Sequence, residues 1–272
     1  MARWASLIEQ RRRERPVLVI DAGDFSVPPE TRFPEVTNRY FFAAMKLLRY
    51  DAVGVSGSET AAGLEGVIAN AHSYGIPLVS SNILDRGSKK PVVPTSIVKE
   101  IGGSSGFFGR KGSVRVGIFA VVLPGFIYRS AADAPKRYSV IEATRAARDA
   151  VAALRSRGCD LIVAVSHLGW PSSLNLAREV PGIDVVLNGF RSHKTTCGER
   201  SGRSLVVDTG DNEGSFAEVS VTFHGDSVVA TAADVCSLAV KSPGDPRLLE
   251  LQRKYAAEIK RLTDGSSPSG TR

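Results

Sequence analysis

The sequence predicts a layered α/β domain, and three observations carry that expectation. Amphipathic helical stretches alternate with short apolar strands, the strands deliver polar residues at their carboxyl ends, and 272 residues at 43 % hydrophobic can bury one large core. Trp4, Leu7 and Ile8 fall at helical spacing, so residues 3 to 14 are expected as an amphipathic helix that opens the chain. Val17-Leu18-Val19-Ile20 then runs into Asp21-Ala22-Gly23-Asp24, as in a buried parallel strand that presents a carboxylate at its end. A helix over 37 to 49 leads to a strand at 50 to 55, and a helix over 60 to 74 leads to a strand at 76 to 82.

From 84 to 112 the composition turns to Gly, Ser, Lys and Pro, with Val92-Val93 and Ser96-Ile97-Val98 expected as hairpin strands and Gly102 to Gly106 as a flexible turn. Val114 to Leu123 is β-like, and Ala143 to Arg157 reads as an amphipathic helix. The order continues with a strand at 160 to 167, a helix at 172 to 179 and a strand at 183 to 189. Ser204 to Asp208 and Ala217 to Ala230 suit antiparallel strands, followed by a helix over 246 to 262. The expected organisation is one domain over 1–240, a C-terminal helix within 241–264 and a disordered Gly/Ser/Pro tail over 265–272.

The net charge of +7 comes partly from Arg11-Arg12-Arg13 and the last helix, without aromatic residues interleaved, which argues for a solvated surface and against a nucleic-acid partner. Cys159, Cys197 and Cys236 are widely spaced and imply neither a disulfide framework nor a structural zinc. No stretch reaches the ~18 apolar residues of a membrane span, and Met1 to Ile8 lacks the apolar run of a signal peptide. As written, the chain is expected to be soluble and not exported.

Taken in order, these strand ends resemble the N-terminal catalytic domain of the 5′-nucleotidase branch of the calcineurin-like metallophosphoesterases. The resemblance rests on the opening helix Ala2 to Gln10, Asp21-Ala22-Gly23-Asp24, Asp51-Ala52-Val53, Pro77 to Asn82, Ser166-His167-Leu168-Gly169 and Gly182-Ile183-Asp184-Val185. It implies a four-layer α/β/β/α sandwich, with the family's first, Asp-x-His strand missing from the sequence as given. It also implies two divalent metals, manganese, zinc or similar, that bind phosphate and activate water. Asp24 would be the bridging carboxylate and His167 a ligand of the second metal.

The same resemblance exposes departures. Where the family reads Gly-Asn-His-Glu this chain reads Ser56-Gly57-Ser58-Glu59, so the Asn ligand is Gly57 and the catalytic His position is Ser58. Where it reads Gly-His-x-His, Phe190 occupies the first His position in Gly189-Phe190-Arg191-Ser192-His193; His193 is a candidate ligand only through a one-residue slip. Glu59 is expected to start the following helix rather than bind metal. Arg191 is a candidate anion-binding residue where a metal ligand would stand. His72 and His224 are read as surface residues; Asp208-Thr209-Gly210-Asp211 resembles a strand end of the family near the site, but its Gly-Asp is read first as a turn.

Losing one transition-state charge stabiliser typically lowers a rate by ~10² to 10³. The expected function is therefore a degenerate 5′-nucleotidase-like domain, catalytically impaired or inactive and retained as a binding or structural module with an unidentified protein partner, holding one metal or none. Two alternatives stand beside it. One is an active metal-dependent phosphomonoesterase, acting on a phosphate ester or nucleotide, whose N-terminus is truncated. The other is a single-metal or anion-binding protein. The family's nucleoside-binding C-terminal domain does not follow in the sequence as given, and family members are commonly periplasmic or extracellular.

Overall fold

The computed structural model describes residues 2–102, 113–190, 198–208, 215–224, 227–237 and 244–265. In chain order its elements are α1 (Ala2–Glu14), β1 (Ile20–Asp21), α2 (Pro34–Leu48), β2 (Ala52–Gly54), α3 (Gly57–Ala61), α4 (Leu64–Tyr74), β3 (Leu78–Val79), β4 (Ile83–Asp85) and β5 (Ser96–Ile101). There follow β6 (Val114–Val122), α5 (Pro124–Ser130), α6 (Ala134–Arg137), β7 (Tyr138–Val140), α7 (Ala143–Ser156), β8 (Leu161–His167), α8 (Trp170–Glu179) and β9 (Val185–Asn188). The last elements are β10 (Glu199–Ser201), β11 (Ser204–Val207), β12 (Ser215–His224), β13 (Ser227–Ser237) and α9 (Pro246–Gly265).

Two sheets lie face to face between two layers of helices, in the four-layer arrangement expected. One is parallel, in the order β1-β2-β3; the other has six strands in the order β10-β11-β9-β8-β6-β5, with β11, β9, β8 and β6 parallel. Alternation along the strands divides the core, because successive side chains leave opposite faces of a sheet. Val116, Ile118 and Ala120 of β6, with Val163 and Val165 of β8, face inward and meet Ala52 and Val79 of the smaller sheet. Phe119, Val121, Ile162 and Ala164 face outward onto Ala147, Val151 and Leu154 of α7 and Leu176 of α8. Phe42, Met45 and Leu48 of α2 cover the other sheet through Val53, together with Ala5, Leu64 and Leu248. Leu248 belongs to α9, which packs on α2 through Thr37 Oγ1 and Tyr255 OH, 3.1 Å apart, and is preceded by an Asp245 N–H to Ala2 carbonyl bond of 2.8 Å.

Where the two sheets meet at the carboxyl ends of the parallel strands, glycines remove the bulk. A Cβ on Gly54 would lie 2.9 Å from the Ala22 carbonyl oxygen and 3.1 Å from Val165, and one on Gly189 would collide with the Ala22 side chain. Gly117 plays the same part on the outer face, where a Cβ would come 2.9 Å from Leu154 and 3.1 Å from Cys159 Sγ.

Some sequence expectations need correction. The helix anticipated over 60 to 74 is two helices, because Gly63 turns the chain at φ +89° and Ser56 with Glu59 forms a capping box that starts α3 early. Val92 and Val93 form no hairpin with Ser96 to Val98. The Pro94 carbonyl instead accepts the Ser80 N–H at 3.1 Å, and β5 pairs antiparallel with β6. The late β-region is a long ribbon whose second strand continues to Ser237. The turn expected at Gly102 to Gly106 falls mostly outside the described residues, as do residues 266–272 of the tail.

Candidate functional site

Parallel strands deliver their carboxyl ends to one edge of the sandwich, where open α/β sheets place ligands. Asp24 follows β1, Ser56 to Glu59 follow β2, His167 ends β8 and Phe190 follows β9. Asp24 sits at φ 60°, a left-handed conformation that Asp tolerates better than most residues, and this turns its carboxylate across the seam toward the larger sheet. There His167 Nε2 lies 2.8 Å from Asp24 Oδ2, with the imidazole 3 % exposed and the carboxylate 37 % exposed.

The rest of the Asp24 shell comes from the loop after β2. Its other oxygen accepts the Ser58 N–H at 3.1 Å and a short bond from the Ser56 hydroxyl, while its own N–H donates to Ser56 Oγ at 2.9 Å. Burial pushes the Asp24 carboxyl upward, but the hydrogen bond from His167 and the electrostatic attraction between the two, with the Ser56 and Ser58 donors, hold it well below the usual carboxylate range. Asp21 takes the opposite course. Burial raises it to about 6, against the pull of the Gly23 N–H, and the charges of Glu59 and Asp24 add to the rise.

Glu59 is a fully buried hub. Its Oε2 accepts the N–H groups of Ser56 at 2.9 Å and Asp24 at 3.1 Å and lies 2.7 Å from the Ser56 hydroxyl, whose single proton is shared between Glu59 and Asp24. Its Oε1 accepts the N–H groups of Phe25 at 3.0 Å and Ser26 at 3.1 Å and the Ser58 hydroxyl at 3.0 Å. A carboxylate offers about four lone-pair directions, so these donors saturate it. It starts α3, as the sequence suggests, and it also ties the loop after β1 to the loop after β2.

On its far side His167 is walled by aromatic rings. Phe126 meets it edge-on at 5.6 Å, Phe190 lies 5.0 Å away, and the two phenyl rings are 3.9 Å apart. His167 Nδ1 is buried without a hydrogen-bond partner. Beneath Phe190, a buried polar chain links Ser166 Oγ to Ser173 Oγ at 2.8 Å, Ser173 to Asn188 Oδ1 at 2.8 Å, and Asn188 Nδ2 to Asp208 Oδ2 at 2.7 Å. Asn188 Nδ2 also holds the Phe190 carbonyl at 3.0 Å.

Of the residues singled out in the sequence, the structure brings Asp24, Ser58, Glu59, His167 and Phe190 together. Arg191, His193 and the Thr209 to Asp211 stretch lie outside the described residues. His72 lies on α4 and His224 ends β12, both away from this edge. Sequence reasoning missed Ser56, Phe126 and the link from Ser173 through Asn188 to Asp208, although Asp208 itself was named at a strand end. Ser56 alone had a legible signal, the Ser-x-x-Glu spacing of a capping box.

A two-metal centre does not fit the described residues: among them no group of three or more His, Cys, Asp or Glu could hold a metal ion. Two donors of one tetrahedral ion sit roughly 3.3 Å apart at ordinary zinc–ligand distances. Asp24 and His167, at 2.8 Å, are instead hydrogen-bonded to each other.

No protein-family model matches the chain. It is 25 % identical over 208 residues to a 2′,3′-cyclic-nucleotide 2′-phosphodiesterase/3′-nucleotidase of Salmonella typhimurium, an alignment covering 70 % of this chain and 32 % of that protein. It is 29 % identical over 198 residues to the snake venom 5′-nucleotidase of Crotalus adamanteus, covering 70 % and 31 % respectively. The chain thus spans about a third of the length of these curated relatives. Among solved structures, the calcineurin-like phosphoesterase YfkN from Bacillus subtilis matches 96 % of this chain and 90 % of its own at a TM-score of 0.79 and 17 % identity. The 5′-nucleotidase precursor from Thermus thermophilus matches 96 % and 54 % at a TM-score of 0.76 and 22 % identity. The chain has the fold of the calcineurin-like phosphoesterase domains of 5′-nucleotidases, and in sequence it is similar to 5′-nucleotidases and 2′,3′-cyclic-nucleotide phosphodiesterases.

Proposed function

We propose that this is a 5′-nucleotidase-like metallophosphoesterase domain whose phosphoryl-transfer chemistry is impaired and whose fold serves as a binding or structural module. The observation that carries the reading is the shell of Asp24. Where the resemblance expects an Asn ligand and a catalytic imidazole, Gly57 offers no donor atom and Ser58 turns its backbone N–H to Asp24 at 3.1 Å. Neither residue can neutralise charge on a leaving group, and a single such loss lowers a rate by ~10² to 10³. Phe190, against the His167 ring, supplies no metal donor either.

A second reading rests on the partly exposed Asp24 carboxylate beside His167. It is a single-cation site built on Asp24 and His167, with His193 as a further candidate ligand and Arg191 as a candidate for the anion, and it requires His167 Nε2 to give up its bond to Asp24 for the ion. The similarity to 5′-nucleotidases and cyclic-nucleotide phosphodiesterases suggests a nucleotide or another phosphate ester as the ligand for either reading.

The test is metal stoichiometry by mass spectrometry on protein purified without chelator and supplied with Mn²⁺ and Zn²⁺, alongside p-nitrophenyl phosphate hydrolysis. Little or no bound metal and no Asp24-dependent hydrolysis is the expected result. One ion, lost on His167→Ala, would favour the single-cation reading. Two ions with hydrolysis abolished by Asp24→Asn would overturn both and establish an active phosphomonoesterase.

A further inference from the structure

The polar groups around Asp24 are already spent on one another. Asp24 Oδ2 takes His167 Nε2 at 2.8 Å, and its other oxygen accepts the Ser58 N–H at 3.1 Å and the Ser56 hydroxyl. A carboxylate offers about four lone-pair directions, and most of these now face the positive end of a donor, the end that repels a cation. The Ser58 hydroxyl is turned to Glu59 Oε1 at 3.0 Å, Gly57 has no side chain to offer, and the Phe190 ring against His167 carries no metal donor. Glu59 is fully buried and taken up by the N–H groups of Ser56, Asp24, Phe25 and Ser26. An ion at this edge would have to break bonds that the described residues make among themselves.

Those bonds run as one chain across the sandwich. His167 ends β8 of the six-stranded sheet, Asp24 follows β1 of the three-stranded sheet, and Ser56 and Glu59 lie where β2 leads into α3. Ser56 Oγ lies 2.7 Å from Glu59 Oε2, and Glu59 Oε1 returns to the loop after β1 through the Phe25 and Ser26 N–H groups at 3.0 and 3.1 Å. A metal held between Asp24 and His167 would join a carboxylate on one sheet to an imidazole on the other. The direct bond makes the same connection, and a hydrogen bond to an ionised acceptor is roughly twice as strong as a neutral one.

We propose that the chain His167–Asp24–Ser56–Glu59 stands in for a metal as the tie between the two sheets, and that this tie and a divalent cation exclude each other. The inference rests on the reading of the domain as impaired in phosphoryl transfer, and it assigns the polar residues left at the strand ends a mechanical task.

The experiment uses the full chain and has two parts. In urea denaturation, a double-mutant cycle pairs Asp24→Ala with His167→Leu. Asp24→Ala should lower the folding equilibrium constant about tenfold more in the unmodified background than beside His167→Leu. Thermal melting then follows the unmodified chain in EDTA and with millimolar Mn²⁺ or Zn²⁺. An ion that bound the native state would raise the melting temperature, and the expected result is the same temperature in each condition. Additive losses in the cycle would overturn the proposal, since no tie would then join the two residues. A rise with either ion that Asp24→Asn abolishes would also overturn it, since the ion would sit at the pair. Hydrolysis of p-nitrophenyl phosphate in the same samples separates this outcome from that of the proposed function. Additive losses without turnover strike the tie alone, whereas metal-dependent turnover strikes both.

Discussion

His167 at the end of β8 lies 2.8 Å from Asp24 Oδ2, so a residue of the six-stranded sheet and the loop leaving the three-stranded sheet hold each other directly. The pair is a clasp as much as a site. Replacing Asp24 with Ala leaves a buried imidazole with neither nitrogen satisfied and should lower stability by about 1 to 3 kcal/mol in urea denaturation. Asp24→Gly should lose about 1 kcal/mol less, because glycine adopts φ 60° without strain. Equal losses would mean that the backbone conformation contributes nothing.

Asp21 gives a pH signature. Its folded pKa of about 6 lies above its usual 3.8, so the native state binds a proton that the unfolded chain has already released. Its contribution is therefore most favourable below pH 4 and is lost as pH rises through about 6. Asp21→Asn, whose amide oxygen can still accept the Gly23 N–H, should raise the melting temperature at pH 8 and leave it nearly unchanged at pH 4. Thermal scans at the two pH values check this, and the same gain at both would refute it.

Glu59→Gln should be among the most damaging single-atom exchanges in the chain. The amide can accept at one end only, and its NH₂ would face backbone N–H groups, either those of Ser56 and Asp24 or those of Phe25 and Ser26. A loss of about 2 to 4 kcal/mol is expected in chemical denaturation. A loss below 1 kcal/mol would show that the two loops hold together without the hub.

Gly117→Ala tests the outer packing. The added methyl would press on Leu154 at 2.9 Å and on Cys159 Sγ at 3.1 Å, in a layer where Leu154 is fully buried. A decrease of about 1 to 3 kcal/mol is expected in chemical denaturation, and no measurable loss would show that Leu154 gives way to the added methyl.

The layer order was legible because continuous apolar runs such as Val116 to Val122 and Leu161 to Val165, the pattern of strands buried on both faces, alternate with runs of helical spacing such as Ala143 to Ser156. Asp24 and His167 were legible as strand-end polar residues. Their bond to each other was not, since it joins residues 143 positions apart and depends on the separation of two sheets. Phe126 escaped notice because it sits on α5, a short helix begun by Pro124 whose residues carry no periodic pattern. The break in the 60 to 74 helix was hidden because Gly63 interrupts an otherwise continuous apolar period, and only its φ of +89° reveals the turn.

The glycine seam also sets the direction of approach. With Gly54 and Gly189 pressed onto Ala22, the two sheets touch at the very end where Asp24 and His167 stand, and the described residues leave no slot between them there. A molecule that reaches the Asp24 carboxylate must descend onto the strand ends from the loop side. Its shape is then read by those loops alone, so recognition at this edge can change by altering the loops while the sandwich beneath stays as it is.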